Sequence, residues 1–326
     1  MAEKKYSALA MLDILKENTD KDHPLTTKEI ISLLEMKYGL LLERRTIYSN
    51  IELLKQAGYQ ISSYDENGVG FALEKKQFDK EEILLLCNAL HATHFIPEEQ
   101  TGKLIRKLLD TQSKYESADF INSVYLPNLA KTPNESLLRN IKKISDAIRM
   151  NKVIKFAYLT YNEKKELVPK REVPYFFEPR YIVYADERPY LLATNPKYDD
   201  FTHYRIDRMG NIEITGDDCQ ILGKELDPYE YARTRLYMYS GQPLTVQFLC
   251  DDIALDHMID LFGKDLTILK REDGKYLLFA KSSRDGAKLL AQQYMGHLQI
   301  LAPEDLREEF ADSLCTVLES YKESSR

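Results

Sequence analysis

The sequence of 326 residues predicts an α+β protein built from several domains. Three observations support this: a helical N-terminal third that ends in a hairpin signal, a central run of short strands rich in aromatic and β-branched residues, and a C-terminal part in which strands and helices alternate. A chain of this length is too long for one ordinary core. We predict a winged helix at 1–75, a helical connector at 76–150, a small β-barrel at 151–220 and a ferredoxin-like α/β domain at 221–326.

Composition places few limits on function. Hydrophobic residues make up 44% and charged residues 30% of the chain, which is ordinary for a globular protein. No apolar run approaches the roughly 20 residues of a membrane helix, and the N-terminus lacks the apolar core of a signal peptide. The 4 cysteines lack C-x-x-C spacing, which indicates reduced thiols rather than disulfides or a zinc ribbon. We therefore expect a cytoplasmic protein without a membrane partner. The net charge of -7 argues against indiscriminate nucleic-acid binding but permits a specific DNA binder.

The first 75 residues read as three helices followed by a hairpin. Apolar residues recur at helical spacing in three stretches, and the third runs from about Glu43 to Ala57, where Gly58 closes it. The dipeptide Asn67-Gly68 between two β-rich runs predicts a tight hairpin turn. This order is typical of a winged helix-turn-helix, whose third helix enters the major groove while the hairpin contacts the flanking backbone.

The third helix carries side chains suited to phosphates and base edges. We predict that double-stranded operator DNA is contacted by Arg44, Arg45, Thr46, Tyr48, Ser49 and Lys55. The first 75 residues hold slightly more acidic than basic side chains, so a helical domain that serves protein contacts is an alternative.

A helical pattern broken by prolines continues over residues 79–151. We interpret it as a connector that spaces the DNA-binding domain from the rest of the chain and pairs with its twin in a homodimer. Cys87, His91 and His94 share one helix face, which is the geometry of a possible metal site. No fourth ligand is found nearby, so packing or polar surface is the favoured interpretation, and we expect neither a metal nor a cofactor.

Residues 153–215 alternate as five or six short strands joined by tight turns, which favours a small barrel. These strands present tyrosine and arginine where fully buried strands would carry aliphatic residues, so we expect the sheet to hold a ligand. Arg205 and Arg208 are three residues apart and lie on opposite faces unless the strand ends between them. Asp207 shares a face with Arg205 and either pairs with an arginine or lines the site.

Two motifs in this region resemble the WYL-domain transcriptional regulators of bacteria. That family has a Trp-Tyr-Leu strand followed by an Arg-x-Asp-Arg/Lys strand, matched here by Pro189-Tyr190-Leu191 and Arg205-Ile206-Asp207-Arg208. The resemblance implies a small Sm/SH3-like β-barrel with a cationic pocket for a small anionic or nucleic-acid ligand. The implied ligand-binding residues are Tyr190, His203, Arg205 and Arg208. Pro189 replaces the family's tryptophan, which removes a stacking surface and a backbone donor.

The resemblance extends to both ends of the chain. Residues 45–51, Arg-Thr-Ile-Tyr-Ser-Asn-Ile, are similar to the recognition helix of DeoR-type regulators, with Ser49 and Asn50 where that family often has Arg and Asp. Residues 244–301 read as the βαββαβ order of a ferredoxin-like domain. WYL regulators typically carry such an extension after the barrel.

We therefore expect a dimeric, ligand-responsive transcription factor. Dimerisation is expected because two half-sites multiply the affinity of one small winged helix. The ligand would be single-stranded nucleic acid or a nucleotide. Catalysis is not expected, since the chain lacks G-x-S-x-G, H-E-x-x-H and the loops of a protein kinase. Two alternatives are a single-strand nucleic-acid-binding accessory protein and a metabolite-sensing DeoR-type regulator. The second alternative is weakened because the chain shows barrel strands where the usual sensor of DeoR-type regulators has alternating βα units.

Overall fold

The structure is a computed structural model that describes residues 2–123, 130–198, 200–220 and 226–323. The chain forms two compact units, Met1–Glu135 and Ser136–Arg326. The first unit is mainly helical, and the second contains two antiparallel sheets with helices. The predicted α+β class is confirmed.

The first unit begins with three helices: α1 (Ala2–Asn18), α2 (Thr27–Tyr38) and α3 (Arg44–Gln56). Their apolar faces meet in one core that includes Met11, Leu34 and Ile47. The helix α2 begins at a capping box, because the side chains of Thr26 and Glu29 bond reciprocally to backbone N–H groups of the first turn. These helices agree with the helical periodicity of the sequence.

The predicted hairpin differs from the structure at its tip. Two short antiparallel strands, β1 (Ile61–Ser62) and β2 (Ala72–Leu73), flank a helical turn, α4 (Tyr64–Asn67). The expected Asn-Gly hairpin turn is therefore wrong. Ser63 and Glu66 form a capping box that starts the helical turn, and Gly68 ends it with a φ of 72°. We define residues 59–73 as the wing.

Gly70 brings the wing close to the segment before α2. Leu25 and Phe71 exchange two backbone hydrogen bonds, each 2.8 Å long. A Cβ atom on residue 70 would lie only 2.1 Å from the carbonyl oxygen of Leu25. Glycine is therefore required here by the close approach of two backbones.

The rest of the first unit consists of helices with a small core of their own. They are α5 (Lys80–Ala92), α6 (Glu98–Leu109) and α7 (Lys114–Ser123). Ile83, Cys87 and Phe120 form the buried centre of this group.

The second unit opens with a helix and a strongly curved sheet. The elements are α8 (Leu137–Met150), β3 (Lys152–Tyr161), β4 (Leu167–Pro169), β5 (Tyr175–Ala185), β6 (Arg188–Thr194), β7 (Thr202–Arg205) and β8 (Met209–Asp218). The order is β4-β3-β5-β6-β7, and β8 pairs with β3. Across the described strands no ladder joins β7 to β8, so the sheet is a curled half-barrel where a small barrel was expected.

Helix α8 packs on this sheet, although the sequence placed it in the connector. Asn140 donates a hydrogen bond of 2.7 Å to the Met209 carbonyl, and Lys143 donates one of 2.6 Å to the Ile212 carbonyl. The strand β5 is long and runs from Tyr175 to Ala185. Pro179 is tolerated inside β5 because a bulge follows it, where the regular ladder is interrupted.

The C-terminal part contains a second sheet with helices. The elements are α9 (Pro228–Arg233), β9 (Leu244–Cys250), α10 (Asp252–Phe262), β10 (Thr267–Lys270), β11 (Tyr276–Ser282), α11 (Arg284–Gln293), β12 (Leu298–Ala302) and α12 (Glu304–Glu323). The antiparallel strands follow the order β10-β11-β9-β12. From β9 to β12 the elements follow the predicted βαββαβ order. After α9, residues 236–238 form a 3₁₀ turn in which Tyr237 has a left-handed φ of 55°. Of the helices in the described ranges, none is long and apolar enough to cross a membrane.

Candidate functional site

Helix α3 presents a polar face and buries an apolar one. Arg44, Arg45, Tyr48 and Ser49 are exposed, whereas Thr46 and Lys55 are half-buried. Asn50, one of the two departures from the DeoR-type pattern, is buried, and its side chain donates a hydrogen bond of 3.1 Å to the Ser7 hydroxyl on α1. Asn50 therefore orients α3 within the unit, and the exposed positions around it are free to meet another molecule.

A cleft of about 850 Å³ runs along this exposed face. Arg44, Tyr48 and Lys55 line it from α3, with Lys28 at the start of α2 and Tyr64 in the wing. Sequence reasoning missed Lys28 and Tyr64, because only the folded helices and wing bring them beside α3. The carboxylates of Glu52 and Asp65 also line the cleft, so its charge is mixed. We call this surface the α3 cleft.

In the second unit, His203 is engaged through both ring nitrogens. Its Nδ1 lies 2.9 Å from the Met238 carbonyl oxygen, and its Nε2 lies 2.7 Å from the Tyr231 hydroxyl. Since a carbonyl only accepts, Nδ1 carries the proton, and in the neutral ring Nε2 accepts from the tyrosine. Burial lowers the pKa of His203. The imidazole therefore holds α9, through Tyr231, and the segment after it, through Met238, to β7.

Arg205 and Asp207 form a two-pronged ion pair. Asp207 is buried, and its carboxylate accepts hydrogen bonds of 3.1 Å from Nε and 2.7 Å from Nη2 of Arg205. Burial lowers the pKa of Arg205, but the hydrogen bond and the charge of Asp207, together with the nearby phenols of Tyr190 and Tyr158, raise it overall above its ordinary value. The strand ends at Arg205, as the spacing allowed, and Arg208 follows in a 3₁₀ turn. Its guanidinium carbon lies 4.1 Å from the ring centre of Tyr161.

Tyr190 lies opposite Arg205 in the ladder between β6 and β7. It is only 8% exposed and packs among Val183, Leu192 and Tyr231. Burial raises the pKa of its phenol. The structure thus brings Tyr190, His203 and Arg205 to one face of the β6–β7 ladder. Arg208 lies apart from that face, beside the last residue of β3.

The opposite face of the same sheet carries a cluster of aromatic rings that sequence reasoning missed. Its members are Phe156, Tyr158, Tyr175, Phe177 and Tyr204, with ring centres 5.0–6.5 Å apart. Arg171 covers one edge of the cluster, with its guanidinium carbon 3.4 Å from the centre of the Tyr175 ring. The signal in the sequence is a pair of aromatic residues two positions apart in β3, Phe156 and Tyr158, and another in β5, Tyr175 and Phe177.

Two of the three residues considered as metal ligands, Cys87 and His94, have other surroundings. Cys87 is buried, and burial raises the pKa of its thiol. The Nδ1 atom of His94 donates to the Ala130 carbonyl at 2.9 Å. Among the residues whose positions the structure describes, no group of three His, Cys, Asp or Glu side chains could hold a metal ion.

The curled half-barrel and α8 form a β domain with arginine and tyrosine on its strands. A protein-family model for the WYL domain matches residues 139–214, from α8 into β8. The chain is therefore a WYL-domain protein.

Two solved structures are similar to the chain at low identity. Proteasome accessory factor B/C (PafBC) of Arthrobacter aurescens is 15% identical, with a TM-score of 0.29 over 97% of this chain and 49% of that chain. This protein thus spans about half the length of the PafBC chain. A CRISPR Cas-related protein is 14% identical, with a TM-score of 0.35 over 77% of this chain and 76% of that chain. No curated protein matches the sequence.

Proposed function

We propose that the protein is a sequence-specific, DNA-binding transcriptional regulator that acts as a homodimer. Its WYL domain would bind a small anionic or nucleic-acid ligand that modulates DNA binding. We further infer that residues 1–75 are a winged helix-turn-helix, 76–150 a connector, 151–220 the Sm-like sensor and 221–326 a ferredoxin-like extension. The exposed polar face of α3 beside the wing is the observation that carries the proposal.

The start of α3 is suited to a phosphate group. Arg44 and Arg45 occupy its first turn, and no side chain caps that turn. The N–H groups at a helix N-terminus and the positive end of the helix dipole favour an anion. Farther along, Tyr48 is 53% exposed and reaches the cleft, where it can meet base edges or sugars. In such complexes, phosphate contacts usually position the protein on the DNA, and side chains of the recognition helix read the base edges.

In the WYL domain, the proposed ligand-binding residues are Tyr190, His203, Arg205 and Arg208. The contacts of these residues imply that a ligand must compete for Arg205 with Asp207. A bond between a ligand and His203 would have to replace the bond to Tyr231 or to Met238. Such an exchange would release α9 or the segment after it from β7, which gives ligand binding a structural consequence.

The test is operator binding by the full chain. Duplex DNA would first be selected from a random pool, and affinity would then be measured by gel-shift titration at fixed salt. Arg45→Ala should weaken binding by about 1–3 kcal/mol, because a guanidinium contact to phosphate or base is lost. Its thermal midpoint should match the parent, since Arg45 is exposed.

The matched control is Arg106→Ala, which removes another exposed helix arginine, this one from α6. It should bind the selected duplex as the parent does. Failure to enrich any duplex, or equal affinities of Arg45→Ala and Arg106→Ala, would contradict the proposal.

A further inference from the structure

A second cleft lies on the curled sheet of the WYL domain, away from the four residues that the resemblance implies. It has a volume of about 630 Å³, within the usual range of small-molecule sites. It runs along β3, between the segment that joins β4 to β5 and the start of β8. Its charged lining residues are Lys155, Lys170, Arg171, Glu172 and Glu213. We call it the basic cleft.

Arg171 is fixed in the basic cleft before any ligand arrives. Its Nε donates 2.9 Å to the Val173 carbonyl, and its Nη2 donates 3.3 Å to the Pro174 carbonyl. Its guanidinium stacks on Tyr175, whose ring is in turn stacked with Phe156 at 5.4 Å and 15°. A guanidinium held in this way loses little further freedom when it binds an anion or a planar group.

The charge of Arg171 has no acidic counterpart in the described part of the chain, where its contacts are the two carbonyls and the Tyr175 ring. Lys170 is exposed beside it and forms no ion pair among the described residues. Lys155 is the exception, because its Nζ lies 2.8 Å from a Glu213 carboxylate oxygen. The cleft therefore offers two cations without an acidic partner among the described residues, Lys170 and Arg171, and a third, Lys155, that is paired with one carboxylate.

These three cations suit a phosphate combined with a flat ring. Lysine binds phosphate as a point charge, and arginine binds it through a planar fork. The exposed plane of a guanidinium is also a surface on which nucleobases stack. By contrast, His203 and Arg205 already have partners for the groups that would bind a ligand. In the basic cleft, Lys170 and Arg171 can meet a ligand without first breaking an ion pair, whereas Lys155 must exchange its contact with Glu213.

We propose that the basic cleft binds a nucleotide phosphate, with the phosphate between Lys155 and Lys170 and the base near the plane of Arg171. The nucleotide can be free or the end of a single strand. The proposal gives the WYL domain a second ligand-contacting surface apart from the four residues named above, and it rests on the ligand-binding role proposed there. Glu213 should weaken the binding of the nucleotide, because its carboxylate competes with the phosphate for Lys155.

The experiment measures direct binding to the full chain by fluorescence anisotropy at fixed salt. The probe is a short, 5′-phosphorylated, fluorescent single-stranded oligothymidylate, and adenosine 5′-monophosphate is the competitor. Arg171→Ala should weaken probe binding about tenfold or more, because the charge and the stacking plane are both lost. Arg171→Lys should fall between this variant and the parent. Glu213→Gln should strengthen binding about two- to fivefold by freeing Lys155.

Arg271→Ala is the control, because Arg271 is a half-exposed arginine on the turn between β10 and β11. It should bind the probe as the parent does. A gain in Glu213→Gln cannot come from misfolding, so it supports the proposal even if Arg171→Ala is unstable. Release of the probe by adenosine 5′-monophosphate supports a free nucleotide as the ligand, and retention supports a strand end.

The proposal is overturned if the parent does not bind the probe, or if Arg171→Ala and Arg271→Ala bind it equally. Operator binding is measured on the same proteins. If the probe does not bind, or if Arg171→Ala has no effect on its binding, while operator binding is intact, only this inference is defeated. Failure to select any operator would instead defeat the proposed regulator.

Discussion

At the scale of single residues, His203 joins β7 to a segment 35 positions away along the chain. The resemblance implied a ligand-binding role, and nothing in the sequence pairs this residue with Met238 or Tyr231. Such partners arise from the path of the chain after α9, which periodicity does not encode. Asp207 is the opposite case: the sequence left a structural ion pair open for it, and Arg205 forms that pair in the structure.

The buried imidazole makes the stability of the fold depend on pH. Burial lowers the pKa of His203 below its ordinary value of 6.5, so the unfolded chain binds a proton that the folded chain resists. The neutral imidazole therefore stabilises the fold at pH values above the pKa of His203 in the unfolded chain. This stabilisation is lost as the pH falls through the lowered pKa of His203 in the folded chain. His203→Gln lacks this contribution, so its thermal midpoint should fall less than the parent's between neutral and mildly acidic pH. Parallel changes in the two proteins, measured by differential scanning calorimetry, would refute this role.

At the scale of elements, the sequence located most helices because their apolar residues repeat with a period that only a helix satisfies. The tip of the wing was predicted wrongly. Asn67-Gly68 is a strong hairpin signal, but Ser63 and Glu66 provide a competing capping signal three residues apart. Local propensities conflicted there, and hydrogen bonding of the Asn67 side chain to Gly70 favours the helical turn. The sequence allowed β7 to end between Arg205 and Arg208 but did not predict that it would.

Gly70→Ala tests how the wing is attached. The added methyl group would collide with the Leu25 carbonyl, so the two hydrogen bonds between Leu25 and Phe71 should break. We expect a destabilisation of about 1–3 kcal/mol and faster amide hydrogen exchange at Phe71.

Gly216→Ala is the matched control for this prediction. Gly216 lies in β8, has an ordinary φ, and has no neighbouring atom within 4 Å of the place that an added methyl group would occupy. The stability of this variant should stay within about 0.5 kcal/mol of the parent. If Gly70→Ala exchanges no faster at Phe71 than this control, the close approach does not matter to the wing.

At the scale of the whole molecule, the proposed DNA-reading surface lies in one unit and the proposed ligand site in the other. The α3 cleft and the basic cleft are built from different parts of the chain, which is the arrangement that ligand-controlled binding requires. Sequence motifs located α3 and the WYL strands. They did not reveal Arg171 as a candidate ligand contact, because its importance depends on a ring and two carbonyls that hold it in place.

The most direct test is the effect of the ligand on operator binding by the parent protein. Affinity for the selected duplex would be measured by gel-shift titration, with and without a saturating amount of the 5′-phosphorylated single strand. If the WYL domain controls the DNA-binding unit, the affinity should change by roughly 5- to 150-fold, the usual size of a coupling between two sites. An operator affinity that is the same with and without bound strand would contradict ligand control of DNA binding.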